Sequence, residues 1–213
     1  MDNKYRFIGK RTPRLDAPEI VTGKAKFLND IKLADMLYGK VLRSPYAHAV
    51  IKSIDTGKAE AVKGVKAVLT WQDVPDWKGG TPRFTRILDR KVRYVGDAVA
   101  LVAATTEEIA KEAMHLIKVE YEVLKPVFDV EEALQPDAPQ LYDEFPGNVV
   151  TPGVPFFGPK NLKEVVMGDT EKGFKEADVT TEGTFGYENI PNPLPPEPPG
   201  AIALWEEPNR LTL

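Results

Sequence analysis

Hydrophobic and polar positions alternate along the chain in short strand-like runs, interrupted by one clear helical run. Lys40 to Leu42 is a short extended segment. Pro45 then forces Ser44 out of the helical region and opens a corner. Ala49 to Ile54 is a second apolar run rich in β-branched residues, so it reads as a strand. Asp55 and Thr56 can cap a short helix over Lys58 to Lys63, and Gly64 is a natural stop. Val65 to Leu69 returns to a strand pattern, with Trp71 close behind. Ala98 to Ala103 is apolar throughout, which predicts a central strand covered on both faces. Thr105 to Glu108 reads as a capping box opening a helix that runs to about Ile117. Ile109, Ala113, Leu116 and Ile117 fall on one face of it, with Ala110 and Met114 beside them. Lys118 to Val123 alternates: Val119, Tyr121 and Val123 point one way, Lys118, Glu120 and Glu122 the other. Strand, helix and strand with short joins predict an α/β unit.

The flanks are less regular. Residues 1 to 17 are polar and basic and are expected to run along a surface. Gly23 to Ile31 is expected to form the first strand. Residues 72 to 90 read as an irregular loop whose aromatics, Trp77 and Phe84, are expected to fold back onto the core. Val92 to Val95 is expected as a strand, with Gly96 and Asp97 turning into the next one. Val130 to Leu134 predicts a short helix. Gln135 to Asn161 is proline-rich but carries Tyr142, Phe145, Phe156 and Phe157. A free linker would seldom hold so many aromatics, so this segment is read as an ordered strap. Val165 to Gly168, a short helix through Lys175 and a strand from Val179 to Tyr187 open a second domain. Ala201 to Trp205 and Leu211 to Leu213 are its expected next strands.

Composition narrows the class. Hydrophobic residues at 42 % and charged residues at 28 % are ordinary for a globular protein of 213 residues. A net charge of −4 gives no reason to expect nucleic acid or an anionic membrane as partner. With no cysteine, the chain can hold neither disulfides nor cysteine-ligated iron–sulfur or zinc sites. That fits a cytoplasmic protein. The N-terminus lacks the apolar core of a signal peptide, and no apolar stretch approaches bilayer length. Six of the 19 prolines fall between Pro136 and Pro159, and seven between Pro191 and Pro208. These clusters punctuate the chain.

Candidate chemistry is sparse. His48 and His115 are the only histidines. His115 sits on a helix between Met114 and Leu116, which suits a packed or partly exposed residue. His48 lies in the corner opened by Pro45, five residues after Arg43. A cation and an imidazole at a tight turn could bind an anion or start an acid–base pair. The preferred reading is that both tie down loops through backbone carbonyls. Two separated histidines cannot make the usual zinc site. Glu107, Glu108, Glu112, Glu120, Glu122, Glu131 and Glu132 are spaced onto solvated faces, not toward a shared acid–base site. No phosphate-binding glycine loop, dinucleotide fingerprint or nucleophile elbow is present.

Several ordered blocks carry a family resemblance. RSPYAHA (Arg43 to Ala49), SID (Ser53 to Asp55) and KGVKAVLTWQDVP (Lys63 to Pro75) come first. GKAKFLNDI (Gly23 to Ile31) precedes them. VRYVGDAVALVAATTEEIAKEAMHLIKVEYEVL (Val92 to Leu124) and GDTEKGFKEADVTTEGTF (Gly168 to Phe185) follow. Together they resemble the opening of the large, molybdenum-cofactor subunit of the xanthine dehydrogenase and aldehyde oxidase family. The resemblance implies an α+β fold. Residues 1–17 would be an N-terminal extension and 18–134 an α/β hammerhead domain. A proline-rich connecting strap would occupy 135–164. Residues 165–213 would be the first strands of an incomplete molybdenum-cofactor-binding domain.

Members of that family hydroxylate an aldehyde or an aromatic heterocycle with oxygen from water. The molybdenum is held by molybdopterin, and electrons leave through iron–sulfur clusters and often FAD on other domains or subunits. The resemblance therefore implies as partners the remainder of the molybdenum subunit, an iron–sulfur subunit and, in those members that use FAD, a flavin subunit. In the family a histidine commonly precedes a Glu-Pro pair by four residues. Here Glu197 and Pro198 match the pair, and Pro193 stands where the histidine would be. Glu197 is expected to anchor a loop by accepting backbone N–H bonds. The family's cofactor loops and general-base glutamate lie downstream of these blocks, so no catalytic, cofactor-binding or metal residue is assigned. The chain is expected to be an N-terminal portion of such a subunit and inactive by itself. The competing expectation is a stand-alone binding or assembly module that retains the hammerhead fold.

Overall fold

A computed structural model describes residues 7–75, 86–149, 168–186, 194–195 and 197–213. Trp77, Phe84, Phe156, Phe157 and Pro193 lie outside the described residues. The helices are α1 (Ala17–Val21), α2 (Gly57–Glu60), α3 (Glu107–Leu116), α4 (Val130–Ala133) and α5 (Thr170–Glu176). The strands are β1 (Tyr38–Arg43), β2 (Ala49–Asp55), β3 (Val65–Leu69), β4 (Lys91–Val92), β5 (Ala98–Ala104), β6 (Lys118–Val123), β7 (Leu204–Glu207) and β8 (Arg210–Thr212). The chain divides into two compact units, Asp35–Thr180 and Met1–Ala34 with Thr181–Leu213.

The larger unit holds two three-stranded sheets, in the orders β1-β5-β3 and β4-β2-β6. Every pairing in them is antiparallel. This corrects the expected α/β unit. β5 and β6 flank α3 in sequence but lie in different sheets, so α3 makes no parallel crossover. The architecture is α+β. A strand run can leave one sheet for another because each sheet offers β5 or β6 an antiparallel partner already in place.

β5 has the apolar sequence of a strand buried on both sides, and it occupies the centre of its sheet. Side chains alternate across a strand. Ala100, Val102 and Ala104 join Ala59, Ala110, Ala113 and Ile117 in one core cluster. Val99, on the opposite face, joins Ala49, Ile51 and Val92 in a second. α2 and α3 thus belong to one core and the strands β2 and β4 to the other. The alanines on α3 and β5 are small enough for the helix to pack close to the sheet.

Local signals set the element ends, with shifts of one or two residues. The cap of α3 is Thr106, whose hydroxyl accepts the Ile109 N–H at 3.2 Å. Thr105, the expected cap, instead donates its own N–H to the Gly64 carbonyl at 2.9 Å. α2 is shorter than expected because Val62 and Val65 N–H bonds fold the chain into tight turns after Glu60. Thr56 does not cap α2 through its side chain; its hydroxyl donates to Glu60 at 2.6 Å. Gly64 has φ +101°, a conformation that side chains rarely adopt.

The expected strand over Gly23 to Ile31 is absent. Lys24 and Ala25 N–H groups bond the Glu19 carbonyl behind α1, and Leu28–Asp30 forms a 3₁₀ turn closed by the Asp30 carboxylate on the Phe27 N–H. Backbone donors spent locally cannot enter a ladder. The expected strand from Val92 to Val95 stops at Val92 for the same reason: the Arg93 N–H bonds the Asp97 carboxylate at 3.0 Å. From Val179 to Gly186 the described backbone has no ladder partner. β7 and β8 form an antiparallel hairpin close to the two expected final strands, though every residue of it is exposed.

The strap is ordered where it is described. Asp129 caps α4 through the Glu131 and Glu132 N–H groups. Asn148 donates to the Ala133 and Pro139 carbonyls and accepts from the Leu141 N–H. Phe145 is buried at 9 % exposure. From β4, Lys91 donates to the Gln140 carbonyl, and just beyond it Arg93 Nε donates to the Leu141 carbonyl at 2.8 Å. The Arg93 guanidinium also lies 4.2 Å from the Tyr142 ring centre and 2.8 Å from Asp89. Burial pushes the Asp89 carboxyl up, but the Arg93 hydrogen bond and charge, the Lys91 N–H and Arg86 together hold it below the usual carboxylate range.

Replacing Gly64 with alanine should destabilise the larger unit. The added Cβ would meet Thr105 Oγ1 at 2.8 Å and Ile109 Cδ1 at 2.9 Å on top of the positive φ. A loss of about 1–3 kcal/mol is expected in denaturant unfolding. Asp89 gives the protein an acid-sensitive term. Its folded carboxyl titrates below the unfolded one, so its stabilisation is complete above the unfolded value, about pH 4, and fades as pH falls through the folded value. Asp89→Asn should therefore flatten the acid limb of the stability profile relative to wild type, as read by urea midpoints at successive pH values.

Candidate functional site

The corner between β1 and β2 is the one place where a histidine and an arginine come near each other in sequence, and the fold occupies both. Arg43 donates Nη1 to the Gly96 carbonyl at 2.8 Å. Ser44 N–H bonds the Asp97 carbonyl, and Gly96 N–H bonds the Ser44 carbonyl, each at 2.8 Å. His48 is 2 % exposed, and its Nδ1 lies 2.7 Å from the Lys125 carbonyl. A carbonyl only accepts, so Nδ1 is the donor in this contact. The His48 carbonyl in turn accepts the Leu124 N–H at 2.9 Å. Both side chains therefore bond backbone carbonyls across the corner. His48 Nε2 is buried with no hydrogen-bond partner.

The carboxylates singled out by sequence are dispersed. Glu107 pairs with Lys40, Glu120 accepts the Ser53 hydroxyl at 2.8 Å, and Glu122 lies 3.6 Å from Lys52. Glu132 pairs with Lys125 at 3.0 Å. These are cross-element contacts on solvated faces, of the kind that contributes little individually. Among the described residues, no three His, Cys, Asp or Glu side chains come together as a metal-binding group. In the smaller unit, Glu197 accepts the Leu28 N–H at 2.8 Å, so it ties its loop to the 3₁₀ turn as its expected anchoring role requires.

A cleft of about 360 Å³ opens in the larger unit between Trp71, Pro75, Arg86, Leu88, Asp89 and Arg90. Arg90 donates Nε to the Ile51 carbonyl at 3.1 Å, and its guanidinium lies 5.7 Å from the Trp71 ring centre. Asp89 is held by Arg93 and Arg86, so it is unavailable as a general base. The cleft's polar side chains are thus engaged in holding β4 and the segment before it. Asp89, Lys91, Arg93 and Asn148 were not legible as anchors in the sequence. The available signal was the dense charge of RILDRKVR (Arg86 to Arg93), but its partners lie some fifty residues away in the strap. No helix among the described residues is long and apolar enough to cross a membrane.

Comparison with known proteins gives this geometry a family. Residues 22–125 match the family described as aldehyde oxidase and xanthine dehydrogenase, a/b hammerhead domain. A probable xanthine dehydrogenase subunit of Bacillus subtilis is 40 % identical over 209 residues, covering 94 % of this chain and 26 % of the relative. The nicotinate dehydrogenase large molybdopterin subunit of Eubacterium barkeri is 34 % identical over 220 residues, covering 100 % of this chain and 48 % of the relative. Among solved structures, quinoline 2-oxidoreductase from Pseudomonas putida matches with a TM-score of 0.58 at 34 % identity, over 67 % of this chain and 20 % of that one. The chain therefore spans less than half the length of these relatives. Residues 22–125, which include both three-stranded sheets, are therefore the a/b hammerhead domain of the aldehyde oxidase and xanthine dehydrogenase family.

Proposed function

We propose that this chain is the hammerhead-bearing portion of the large, molybdopterin-binding subunit of a molybdenum hydroxylase. The complete enzyme would hydroxylate an aldehyde or an aromatic heterocycle with oxygen from water. It would pass the electrons to iron–sulfur clusters, and to FAD where a flavin subunit is present, on partner subunits in the cytoplasm. The domain reading is 18–134 as hammerhead, 135–164 as strap and 165–213 as the opening of the cofactor-binding domain. The observation that carries the reading is the alignment of essentially the whole chain with molybdenum-enzyme subunits that are at least twice as long.

Molybdopterin would supply the oxygen-transfer chemistry when bound, and the candidate side chains of this chain are engaged in other contacts. Arg43 and His48 are committed to backbone carbonyls, Asp89 and Arg93 to each other and to the strap. No catalytic role is proposed for any residue of this chain. Its part is to fold a rigid two-sheet body for the subunit. Metal analysis tests this division. The chain produced alone should retain no stoichiometric molybdenum after gel filtration, and the same chain continued to the full length of its relatives should retain it. Molybdenum held by the shorter chain would overturn the assignment.

His48→Ala should lower stability by about 1–3 kcal/mol, because the Lys125 carbonyl loses its donor inside a buried corner. In the complete enzyme, turnover per folded, metal-loaded molecule should stay near wild type. A fall of several orders of magnitude at normal cofactor content would make His48 catalytic.

The β7–β8 hairpin offers a further check. A two-stranded hairpin with no buried residue is marginal alone, and Leu204, Trp205 and Leu211 are exposed on it. Its amides should exchange quickly in this chain and slowly once the remaining polypeptide is present. Protection equal to that of β5 in a dilute monomer would favour the stand-alone binding module.

A further inference from the structure

The strap between Pro139 and Val149 is an unusual kind of ordered loop. Its one buried apolar side chain is Phe145. Its internal order comes from polar groups: Asn148 joins Ala133, Pro139 and Leu141, and Gln140 joins Tyr142, Phe145 and Gly147. Its polar attachment to the rest of the unit runs through Lys91 and Arg93. Lys91 reaches the Gln140 carbonyl and the Asp143 carboxylate, but Asp143 is largely exposed and 3.7 Å away. Arg93 is the better-buried anchor, with its side chain 12 % exposed. It bonds Asp89 and the Lys91 carbonyl through Nη1 and the Leu141 carbonyl through Nε, and it covers the Tyr142 ring.

The backbone of the same residue belongs to the corner. The Arg93 N–H bonds Asp97 Oδ2, the Asp97 carbonyl takes the Ser44 N–H, and the Ser44 carbonyl takes the Gly96 N–H. Arg43 closes the group on the Gly96 carbonyl. One residue thus holds the strap with its side chain and the corner with its amide.

We propose that Arg93 is the keystone of a conformational latch, through which the strap and the Arg43–Ser44/Tyr94–Asp97 corner dock and release together as one local unit. The core around β5 and α3 stays folded when the latch opens. The physical reason is the imbalance of burial. Local opening follows regions with few buried apolar contacts, and no residue of the strap or of this corner belongs to either core cluster. A guanidinium fork is suited to this task because it makes several directed bonds from one rigid plane, which an ammonium cannot.

Residue-resolved amide exchange on the full chain tests the proposal. The strap reporters are the Phe145 and Gly147 amides, and the corner reporters are those of Ser44, Gly96 and Asp97. Val102 and Ala104 in β5 report on the core. Asn148→Ala touches neither Arg93 nor the corner, so it leaves the keystone chemically intact. It should speed exchange at strap and corner reporters by a common factor, on the order of tenfold or more, with the core unchanged. Arg93→Lys keeps the charge but loses the fork, and it should give the same pattern. Faster exchange in the strap alone, no change in either group, or an equal rise in all three including the core would each overturn the proposal. So would a wild-type pattern in Arg93→Lys.

Discussion

β5 is the strand on which the larger unit depends. Its residues are apolar without alternation, so neither face can be left in water. One face is met by the alanine-rich side of α3 and by α2, and the other by residues of the second sheet. Its two edges pair with β1 and β3. A strand so enclosed has its backbone in ladders on both sides and its side chains in two cores. This is the situation that specifies register most strongly, since a one-residue slip would exchange the two clusters. The other elements take their places from it. α3 packs where its small residues permit close approach, and β6 continues from α3 into a different sheet because the second core needs Val119 and Tyr121 beside Ile51.

Outside those cores the structure is held by directed polar contacts. The corner residues Arg43, Ser44 and His48 use side chains and backbone to satisfy carbonyls and amides that no ladder reaches. The strap is closed by Asn148 and docked by Lys91 and Arg93. Asp89 shows the electrostatic logic: its burial is unfavourable for a charge, and the surrounding cations and amide more than offset it. Buried pairs of this kind add little net stability, but removing one partner is costly. They settle where a loop lies.

The distribution of chemistry follows the same division of labour. Groups that could have served catalysis are spent on architecture, and the carboxylates are scattered across solvated faces. That is what a scaffold portion of a larger cofactor-bearing subunit would require.

By itself the sequence determined the elements whose signals are local. The alternation of Lys118 to Val123, the apolar run of β5, the amphipathic face of α3 and the stop at Gly64 are all legible within a dozen residues. The ordered blocks also identified the family, because several of them occur in the right order. What only the tertiary structure decided were the choices made between distant segments. Gly23 to Ile31 reads as a strand, yet Glu19 and Asp30 take its backbone donors. β5 and β6 read as one α/β unit, yet they enter separate sheets. Arg93 lies in a run that reads as a strand, yet its side chain bonds the Leu141 carbonyl and covers the Tyr142 ring of the strap. In each case local pattern states what a segment can do, and competition for hydrogen-bond partners brought together by the fold states which possibility is realised.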